Sequence, residues 1–517
     1  MKAMTRRDLL IGATATTIAY SLAGCGKVPR GSMKRPNILL LWTDQQRLDT
    51  LACYGNHLIK TPNLNRLANS SVVFDRPYCS QPVCTPSRGS VLTGLWPHQH
   101  GAIANNQAFR PGTRCLPELM TAAGIRDYAT GYIGKCHLGD ELYPQHGFDE
   151  WVSTEDGYDK WYGPSRNRND RSDFHHWLCA RGYIPDAAGG KLFSRNAITK
   201  LPIEHGRPTF IAENAVDFLA RHRNQPFVLS CNFLEPHNPY HGPLNDIHDP
   251  SQIVLPPNKD HDFGNGDPLR YRLSQMKSAP ALRADGHAQM RRITQVYLGM
   301  ISQVDSSIGA ILIELDRLGL TDNTVVIFTS DHGDLMGSHG MLGKSVFLEE
   351  AATVPLLIRV PDMSPRRVSQ PVSHINLVPT ILDLMDAPLA ELPGHSLRPL
   401  TEGAGGNPDS AETMIEWNQA PAEEPTQHKP PGNSFATSEQ VTAAQVENSR
   451  CLVTGDGWKL ALSDADRGQL YNLKLDPGEM NNLFALPEHR GHLRDLAGRI
   501  TAWQHRTKDP LILPPVA

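Results

Sequence analysis

The chain lacks a marked excess of charge of either sign. Its 517 residues include 50 Lys and Arg against 54 Asp and Glu, which gives a net charge of -4. A domain that binds nucleic acid ordinarily presents a strongly basic surface. The near balance of charge excludes a global basic field, so we predict no nucleic-acid partner.

Aromatic residues are also few, at 7%. Hydrophobic residues make up 39% and charged residues 20%, the proportions of a soluble globular protein. The length accommodates two or more domains, or one large α/β domain with an appendage. There are 42 glycines and 41 prolines, and so many breakers of regular structure predict many loops, as in a large enzyme.

The N-terminal segment stands apart from the rest of the chain. Arg6 and Arg7 precede a short apolar stretch, a pattern that indicates a twin-arginine export signal. The segment Leu22–Cys25 resembles a bacterial lipobox, whose cysteine would carry a lipid anchor; a plain cleaved signal is the alternative. We predict that residues 1–32 are signal and linker, and that the protein is exported, to the periplasm or as a membrane-anchored lipoprotein of a bacterium.

Cysteine is too scarce for a dense disulfide framework, and the number of cysteines is odd. The nine cysteines are Cys25, Cys53, Cys79, Cys84, Cys115, Cys136, Cys179, Cys231 and Cys451. If Cys25 is lipidated and Cys84 is modified, for a reason given below, nine minus two leaves seven thiols. An odd number cannot pair completely, so we predict no complete set of bridges.

From about residue 36 to about residue 400, short apolar runs alternate with helical periodicity. Near-continuous apolar runs over residues 37–43, 227–233 and 324–329 predict strands that are buried on both faces. The run 354–360 is weaker, because Pro355 favours an edge position or the start of a strand.

Amphipathic helices separate the predicted strands. Between Ile293 and Leu315, apolar residues recur at spacings of three and four, which places them on one helical face. Alternating strands and helices predict an α/β fold, with a large and mostly parallel sheet sandwiched by helices.

The tail of the chain follows a different pattern. Four short strand-like runs are separated by turn signals, and a helix with apolar residues between Leu493 and Trp503 follows them. The four runs are 414–417, 450–453, 458–462 and 469–473. A loop at 420–434 is rich in Pro, Glu and Gln. We predict a catalytic domain over 33–405 and a C-terminal subdomain of antiparallel sheet and helix over 406–517.

Polar side chains follow several predicted strands at the point where each strand ends. They are Asp44 and Gln45, Lys135 and His137, His237, and Asp331 with His332. Each of these residues alone is more often a turn former, a helix cap or a hydrogen-bonded surface group. Open α/β sheets form their sites beyond the carboxyl ends of strands, so their shared placement predicts one site.

One part of this set suits a cation. Asp44, Gln45 and Asp331 offer hard oxygen ligands for a divalent ion, with His332 as a nitrogen neighbour. Cys84 is discordant among them, because a soft thiolate suits zinc or copper instead. The discord disappears if Cys84 is not a cysteine when the protein works.

Another part of the set suits an anion and proton transfer. Arg88, Lys135 and Lys344 offer positive charge to an anionic group. His137 and His237 can donate or accept a proton near neutral pH. Together with a cation and a nucleophile, these groups indicate transfer at a sulfuryl or phosphoryl centre.

The segment Cys84–Arg88 resembles the Cys-x-Pro-Ser-Arg signature of the type I sulfatases, within the alkaline-phosphatase superfamily. Supporting matches span nearly the whole chain after the N-terminal segment. They are Thr43–Arg47, Thr61–Leu64, Gly134–Gly139, Glu235–His237, Ser330–Asp334 and the tail segments Leu470–Leu473 and Asp476–Glu479. The motifs are specific as a set, and they imply an alkaline-phosphatase-like fold.

The resemblance implies that Cys84 is oxidised to Cα-formylglycine (3-oxoalanine) by a separate formylglycine-generating maturation enzyme. It also implies one bound cation, Ca²⁺, at Asp44, Gln45, Asp331, His332 and the modified Cys84. A hydroxyl of the hydrated aldehyde would attack sulfur, which divides one hard step into two.

The remaining roles are likewise implied by the resemblance. His237 or Lys344 would protonate the leaving alcohol, and His137 would accept a proton as sulfate is ejected. Arg88 would hold the aldehyde hydrate and the cation site. The predicted substrate-binding residues are Asn105, Lys135, His237 and Lys344.

Three residues depart from the family pattern. Many sulfatases have a second aspartate at the position of Gln45, so this cation site carries one negative charge less. Cys136 occupies a position where tryptophan is common, and we predict a packing role for it. His332 replaces the commoner asparagine, a variant shared by some sulfatases and by phosphonate monoester hydrolases.

We therefore expect a sulfuric ester hydrolase that acts on a sulfated small molecule or, in particular, a sulfated carbohydrate. One alternative is a phosphodiester or phosphonate monoester hydrolase that uses the same formylglycine. Another is a non-catalytic lipoprotein that binds sulfated glycans. The segment Gly157–Trp177 is rich in aromatic residues and arginines, which either line the substrate mouth or pack on the sheet as part of a surface insertion.

Overall fold

The computed structural model describes residues 35–158, 161–388, 390–404, 407–419 and 435–516. The predicted signal and linker, the loop at 420–434 and the residues on either side of the predicted 405/406 boundary lie outside these ranges. The described residues from Arg35 onward form one compact unit, and the boundary at residue 405 stays a prediction.

The large sheet has eight strands within the described residues, in the order β4-β3-β5-β1-β6-β7-β2-β8. Its strands are β1 Asn37–Thr43, β2 Val72–Tyr78, β3 Ala129–Gly134, β4 Glu150–Val152, β5 Phe227–Asn232, β6 Thr324–Ser330, β7 Leu356–Arg359 and β8 Arg366–Ser373. All of them except β7 run in the same direction. The prediction of a mostly parallel sheet is confirmed.

Helices cover this sheet and connect its strands, and the last of them belong to the C-terminal part of the chain. They are α1 Pro62–Asn69, α2 Cys84–Thr93, α3 Pro97–His100, α4 Leu116–Ala122, α5 Asp173–Ala180, α6 Arg195–Ile198, α7 Arg207–Arg221, α8 Leu269–Arg283, α9 Ala288–Arg317, α10 Glu349–Ala352, α11 Leu377–Leu384, α12 Arg398–Thr401, α13 Ser438–Val446 and α14 Arg490–Thr507.

The central strand β1 shows why its sequence is apolar throughout. Ile38 and Leu40 point into one hydrophobic cluster, and Leu39 and Leu41 point into another on the opposite face. Successive side chains of a strand alternate between faces, so a strand covered on both sides needs apolar residues at nearly every position. The second cluster includes the apolar face of α9, which confirms the predicted helix.

The strand β7 differs from its prediction. It lies inside the sheet, antiparallel to both β6 and β2, and it is therefore not an edge strand. Pro355 immediately precedes its first residue, Leu356, so the missing N–H removes no hydrogen bond from the ladder. The alternative prediction, that the proline marks the start of the strand, is correct.

The C-terminal part forms the predicted antiparallel sheet, in the order β12-β11-β10-β9. Its strands are β9 Glu412–Trp417, β10 Ser449–Thr454, β11 Trp458–Ser463 and β12 Gln469–Asn472. The last helix, α14, packs Leu493, Leu496, Ile500 and Trp503 against it, as predicted. The helix α13 was not predicted.

By length and composition, the helical stretch Leu269–Arg317 would be able to cross a membrane. However, 78% of its apolar window is buried inside the protein. This stretch includes α9, which packs on the central sheet as the core helix of a globular fold does.

Candidate active site

The ends of four parallel strands bring the predicted residues to one edge of the sheet. Thr43 and Ser330 are paired in register, so the residues that follow β1 and β6 emerge side by side. Lys135 leaves β3 next to the end of β5, and its N–H donates to the carbonyl oxygen of Asn232 at 3.1 Å. A Cβ on Gly134 would lie 2.0 Å from the same oxygen, so only glycine permits this approach.

Cys84 is the first residue of α2, and its Sγ lies among charged groups. It is 3.1 Å from Lys344 Nζ, 3.3 Å from His332 Nε2 and 3.8 Å from Asp44 Oδ1. Donor atoms of Asp44, Cys84, Asp331 and His332 all lie within 4.8 Å of one another, and all four residues are buried. The structure therefore brings together four of the five predicted cation ligands.

Arg88 organises this cluster from the next turn of α2. Its guanidinium is fully buried and donates from Nε to Asp331 Oδ2 at 2.9 Å and from Nη2 to Asp44 Oδ2 at 3.1 Å. Nη1 donates to the carbonyl oxygen of Lys135 at 2.9 Å. The planar fork thus fixes two carboxylates that belong to different strands.

Lys135 adds a second cation to Asp44, with Nζ 2.7 Å from Oδ2. Burial and the neighbouring Cys84 oppose the ionisation of Asp44. Lys135, His237 and Arg88 outweigh them and hold the pKa of this carboxyl well below its usual range. Asp44 is thus ionised at neutral pH, and its Oδ1 is turned towards Cys84.

Cationic groups, Lys135 among them, also act on Cys84. Burial would raise the pKa of its thiol, but the charges of Lys344, Lys135 and His332 overcome this effect and hold the pKa well below the usual value. A negative charge at this position is therefore stabilised by the surrounding residues.

Gln45 faces the site through both ends of its amide. Oε1 accepts from Lys344 Nζ at 2.7 Å, and Nε2 donates to Asp334 Oδ2, which also accepts from the Tyr240 hydroxyl at 2.7 Å. The backbone φ of Gln45 is 69°, a left-handed value that is uncommon outside glycine. Its N–H donates to Asp331 Oδ1 at 2.9 Å, which ties the turn to the cation cluster.

His137 is held by an asparagine that no sequence motif indicated. Asn106 Oδ1 lies 3.0 Å from His137 Nε2, whereas Nδ1 is buried with no hydrogen-bond partner among the described residues. Burial, followed by the charge of Lys135, lowers the pKa of His137. The imidazole is therefore neutral near pH 7 and able to accept a proton.

Asn105 has a structural contact of its own. Its Oδ1 accepts from the Thr85 N–H at 3.1 Å, in the first turn of α2. Thr85 Oγ1 in turn donates to the carbonyl oxygen of His137 at 2.8 Å. The predicted substrate contact of Asn105 stays a prediction, since the observed contact is with the backbone of the helix that begins at Cys84.

Glu141 fixes the loop that carries His137. Its buried carboxylate accepts from the N–H of Cys136 at 2.9 Å and from the N–H of His137 at 2.5 Å. Burial, together with the charge of Glu155, raises the pKa of Glu141 to about 7. Nothing in the local sequence distinguishes this glutamate from a surface residue.

His237 lies on the loop after β5 and is half-buried. Its Nδ1 donates to the carbonyl oxygen of Asn238 at 2.6 Å, which leaves Nε2 for other partners. His237 is among the groups that lower the pKa of Asp44, so it lies within electrostatic range of the cluster.

The segment 157–177, predicted to line the substrate mouth, is divided between two environments. Trp177 stacks on Phe174 at a centroid distance of 5.8 Å and meets Phe210 edge-on at 5.3 Å. Arg168, in contrast, is exposed. The packing alternative therefore holds for Trp177, and a role at the mouth stays a prediction for the rest.

The fold and the site together indicate a class of enzyme. At one edge of a mostly parallel sheet, the carboxylates of Asp44 and Asp331 lie beside a buried arginine and two lysines. These groups surround Cys84, at the start of α2. This arrangement can hold a cation next to an anionic group, as the active sites of hydrolases that act on anionic esters do. The profile of the Sulfatase family matches residues 36–387, and the chain belongs to that family.

The relatives agree with an enzyme of the sulfatase class. The chain is 28% identical to an N-acetylglucosamine-6-O-sulfatase of Bacteroides thetaiotaomicron, over 95% of this chain and 90% of that protein. Among solved structures, a phosphonate monoester hydrolase from Silicibacter pomeroyi has a TM-score of 0.74 at 23% identity, covering 92% of this chain and 96% of that one. A protein solved with its substrate D-glucosamine-2-N,6-O-disulfate has a TM-score of 0.69 at 23% identity, covering 92% and 99%. At these identities the structures show the fold alone.

Proposed function

We propose that this sulfatase cleaves the sulfate ester of a sulfated carbohydrate, with Cys84 converted to formylglycine and Ca²⁺ bound beside it. The main support is the position of Cys84. Its Sγ lies 3.1 Å from Lys344 Nζ and 3.3 Å from His332 Nε2, in a cluster built from hard ligands. The named activity of the Bacteroides relative supports a sugar as the substrate.

The donor set fits a calcium ion. Asp44 and Asp331 contribute carboxylate oxygens, His332 a ring nitrogen, and the amide oxygen of Gln45 is held towards the same cluster by Lys344. These residues, with the modified Cys84, would hold the ion. When bound, the ion supplies positive charge that stabilises an oxygen nucleophile and offsets the charge of a sulfate group.

Formylglycine fits the position better than cysteine does. The hydrate of its aldehyde supplies oxygen atoms in place of sulfur, and oxygen suits the neighbouring carboxylates and a hard cation. The charges that lower the pKa of the Cys84 thiol would equally favour an ionised hydroxyl there. We propose that a formylglycine-generating enzyme makes this change before the chain folds.

The surrounding residues would bind the substrate and move protons. Lys344 Nζ, 3.1 Å from Sγ, would attract the oxygens of a sulfate group placed at residue 84. Lys135 would do the same from the side of Asp44. His237 and Lys344 are the two candidates to protonate the leaving alcohol, and His137 would accept a proton at its unpartnered Nδ1.

Peptide mass spectrometry across Cys84 tests the proposal. The active protein should carry the aldehyde and its hydrate, and Cys84→Ala should lower turnover of 4-nitrophenyl sulfate by more than about a thousandfold. The variant Cys53→Ala, which removes a half-buried thiol elsewhere, is the matched control. Full activity in protein that carries only the thiol would contradict the proposal.

A phosphodiester or phosphonate monoester hydrolase is the second candidate function. The observation in its favour is His332, which stands 3.3 Å from Cys84 Sγ where the commoner sulfatase motif has asparagine. The ratio of kcat/KM for 4-nitrophenyl sulfate to that for 4-nitrophenyl phenylphosphonate separates the two functions. We expect the ratio to exceed one for the wild-type enzyme.

We also propose export to the periplasm, either as a free protein or through a lipid anchor on Cys25. The paired arginines and the lipobox-like Leu22–Cys25 support this location. Replacing Arg6 and Arg7 by lysine should retain the protein in the cytoplasm, as measured by cell fractionation. Cys25→Ala should abolish labelling by a fatty acid without that retention.

A further inference from the structure

An ion-pair cluster lies next to the candidate active site, and none of the proposed catalytic steps uses it. Glu155 Oε2 accepts from Arg195 Nη2 at 2.9 Å and from the Tyr158 hydroxyl at 2.7 Å. Its other oxygen lies 3.7 Å from Arg207 Nη2. The side chains of Glu155 and Arg207 are 4% and 2% exposed, whereas that of Arg195 is 38% exposed.

The cluster is connected directly to His137. The ring of Tyr158 packs on the ring of His137, with centroids 5.2 Å apart, and the Tyr158 hydroxyl is 3.2 Å from Arg195 Nη2. One aromatic side chain thus separates Arg195 from the candidate general base. Glu155 foremost, and Asp44 among others, raise the pKa of Arg195, so its charge is within electrostatic range of the cation site.

The helix that carries Arg195 also borders the loop of His237. His241 Nδ1 donates to the carbonyl oxygen of Thr199 at 3.1 Å, just after α6. Arg195 therefore contacts Tyr158, and the residue after its helix contacts the loop that follows His237.

Arg195 has further hydrogen-bond donors that are available to a ligand. Both hydrogen bonds of the Arg195 side chain come from Nη2. In the part of the chain that the structure describes, neither Nε nor Nη1 has a hydrogen-bond partner. Arg195 is not the only partner of Glu155, because Arg207 and Tyr158 also contact this carboxylate. The buried carboxylate thus holds one edge of the guanidinium and leaves N–H groups exposed to a ligand.

We propose that Arg195 binds a second sulfate group, on the same sugar that carries the scissile sulfate ester, and so selects disulfated over monosulfated substrates. This inference rests on the proposed function and names the substrate class of that site. A guanidinium matches a tetrahedral oxyanion in geometry and charge. Glu155 is the positioning residue that orients it.

The test measures binding separately from turnover. In the Cys84→Ala background, calorimetry compares monosulfated and disulfated glucosamine, N-acetylgalactosamine and galactose as matched pairs. We expect at least one disulfated sugar to bind about ten- to a hundredfold more tightly than its monosulfated partner. Arg195→Ala should abolish that gain, and Arg195→Lys should retain part of it.

Arg181→Ala is the matched control, since Arg181 is an exposed arginine that stacks on Trp177 and is not in the cluster. This variant should keep the full preference. Equal affinities for every pair in the parent protein would overturn the proposal, as would a preference that survives in Arg195→Ala. Absence of sulfate release from 4-nitrophenyl sulfate and from all six sugars by the wild-type enzyme would instead contradict the sulfatase function.

Discussion

At the scale of single residues, the site depends on how buried charges hold one another in place. Arg88 has no exposed surface, yet its three nitrogen atoms reach two carboxylates and one carbonyl oxygen. Such a fully paired guanidinium avoids the cost of an isolated buried charge. It also fixes Asp44 and Asp331 before any cation arrives.

Arg88→Lys should therefore weaken the proposed Ca²⁺ binding while it keeps the charge. An ammonium group cannot reach Asp44, Asp331 and the Lys135 carbonyl at once, so we expect affinity to fall about ten- to a hundredfold. Titration calorimetry measures this directly, without any need for turnover. Arg181→Lys, on the surface, should bind Ca²⁺ like the wild type; an unchanged affinity in Arg88→Lys would contradict the role of the fork.

Glu141 gives the protein a residue-scale pH dependence. Its pKa of about 7 in the folded state exceeds the ordinary value of 4.5, so between these values the folded state binds more protons than the unfolded state. The free energy of unfolding should therefore decrease by about 2–3 kcal/mol as the pH rises through this window. Thermal unfolding at pH 5 and pH 8 measures it.

Glu141→Gln should remove this part of the pH dependence, although it also weakens the contact with the Cys136 and His137 N–H groups. Glu204→Gln, at an exposed position, serves as the control and should unfold with the pH dependence of the wild type. If Glu141→Gln shows the same decrease between pH 5 and pH 8 as the wild type, the assignment to Glu141 is wrong.

At the scale of elements, α2 presents Cys84 and Arg88 from consecutive turns, on one face of the helix. Its N-cap residue, Val83, provides no side-chain acceptor for the first turn. Asn105, from a later loop, supplies that acceptor for the Thr85 N–H. The position of Cys84 therefore depends on a residue outside its own helix.

Asn105→Ala should lower stability by about 1 kcal/mol, the usual effect of losing a side-chain acceptor at a helix start. The thermal unfolding midpoint and the KM for 4-nitrophenyl sulfate distinguish two roles. A fall in the midpoint with an unchanged KM indicates a capping role, whereas a raised KM at an unchanged midpoint indicates the substrate contact. Asn105→Asp, which keeps the acceptor, should restore the midpoint.

At the scale of the whole molecule, the small sheet is tied to the large one through a buried lysine. Lys459, on β11, lies 2.8 Å from Glu349 Oε1 and 2.8 Å from Glu479 Oε1, and it is 2% exposed. Glu349 starts α10, which directly follows the Lys344 loop. The charge network thus joins the C-terminal part of the chain to the candidate active site.

Lys459→Met should therefore destabilise the entire protein and not only the small sheet. Removal of the ammonium leaves Glu349 and Glu479 without their common partner, which typically costs about 3–5 kcal/mol for a buried pair. One cooperative transition at a lower temperature is the expected result of calorimetry. Two separated transitions would show that residues 406–517 unfold as an independent domain. Lys474→Met, which removes an exposed lysine, should unfold like the wild type.

Features that depend on residues close together in the chain were predictable from the sequence, whereas contacts between distant residues were not. The apolar run of β1 predicted its own burial, because a strand covered on both faces admits almost no other pattern. Pro355 was ambiguous, since the same residue fits an edge strand or the start of an interior one. The helix α13 has little contrast between its faces, and it was missed.

The sequence alone determined the local chemistry: the Cys84–Arg88 motif, the carboxylates at strand ends and the periodicity of α9 all depend on neighbouring residues. Only the tertiary structure decided which distant groups meet. Asn106 meets His137 across 31 positions, and Arg195 meets Glu155 across 40. No local pattern marks such pairs, because their proximity results from the packing of loops over the sheet edge and not from the spacing of residues along the chain.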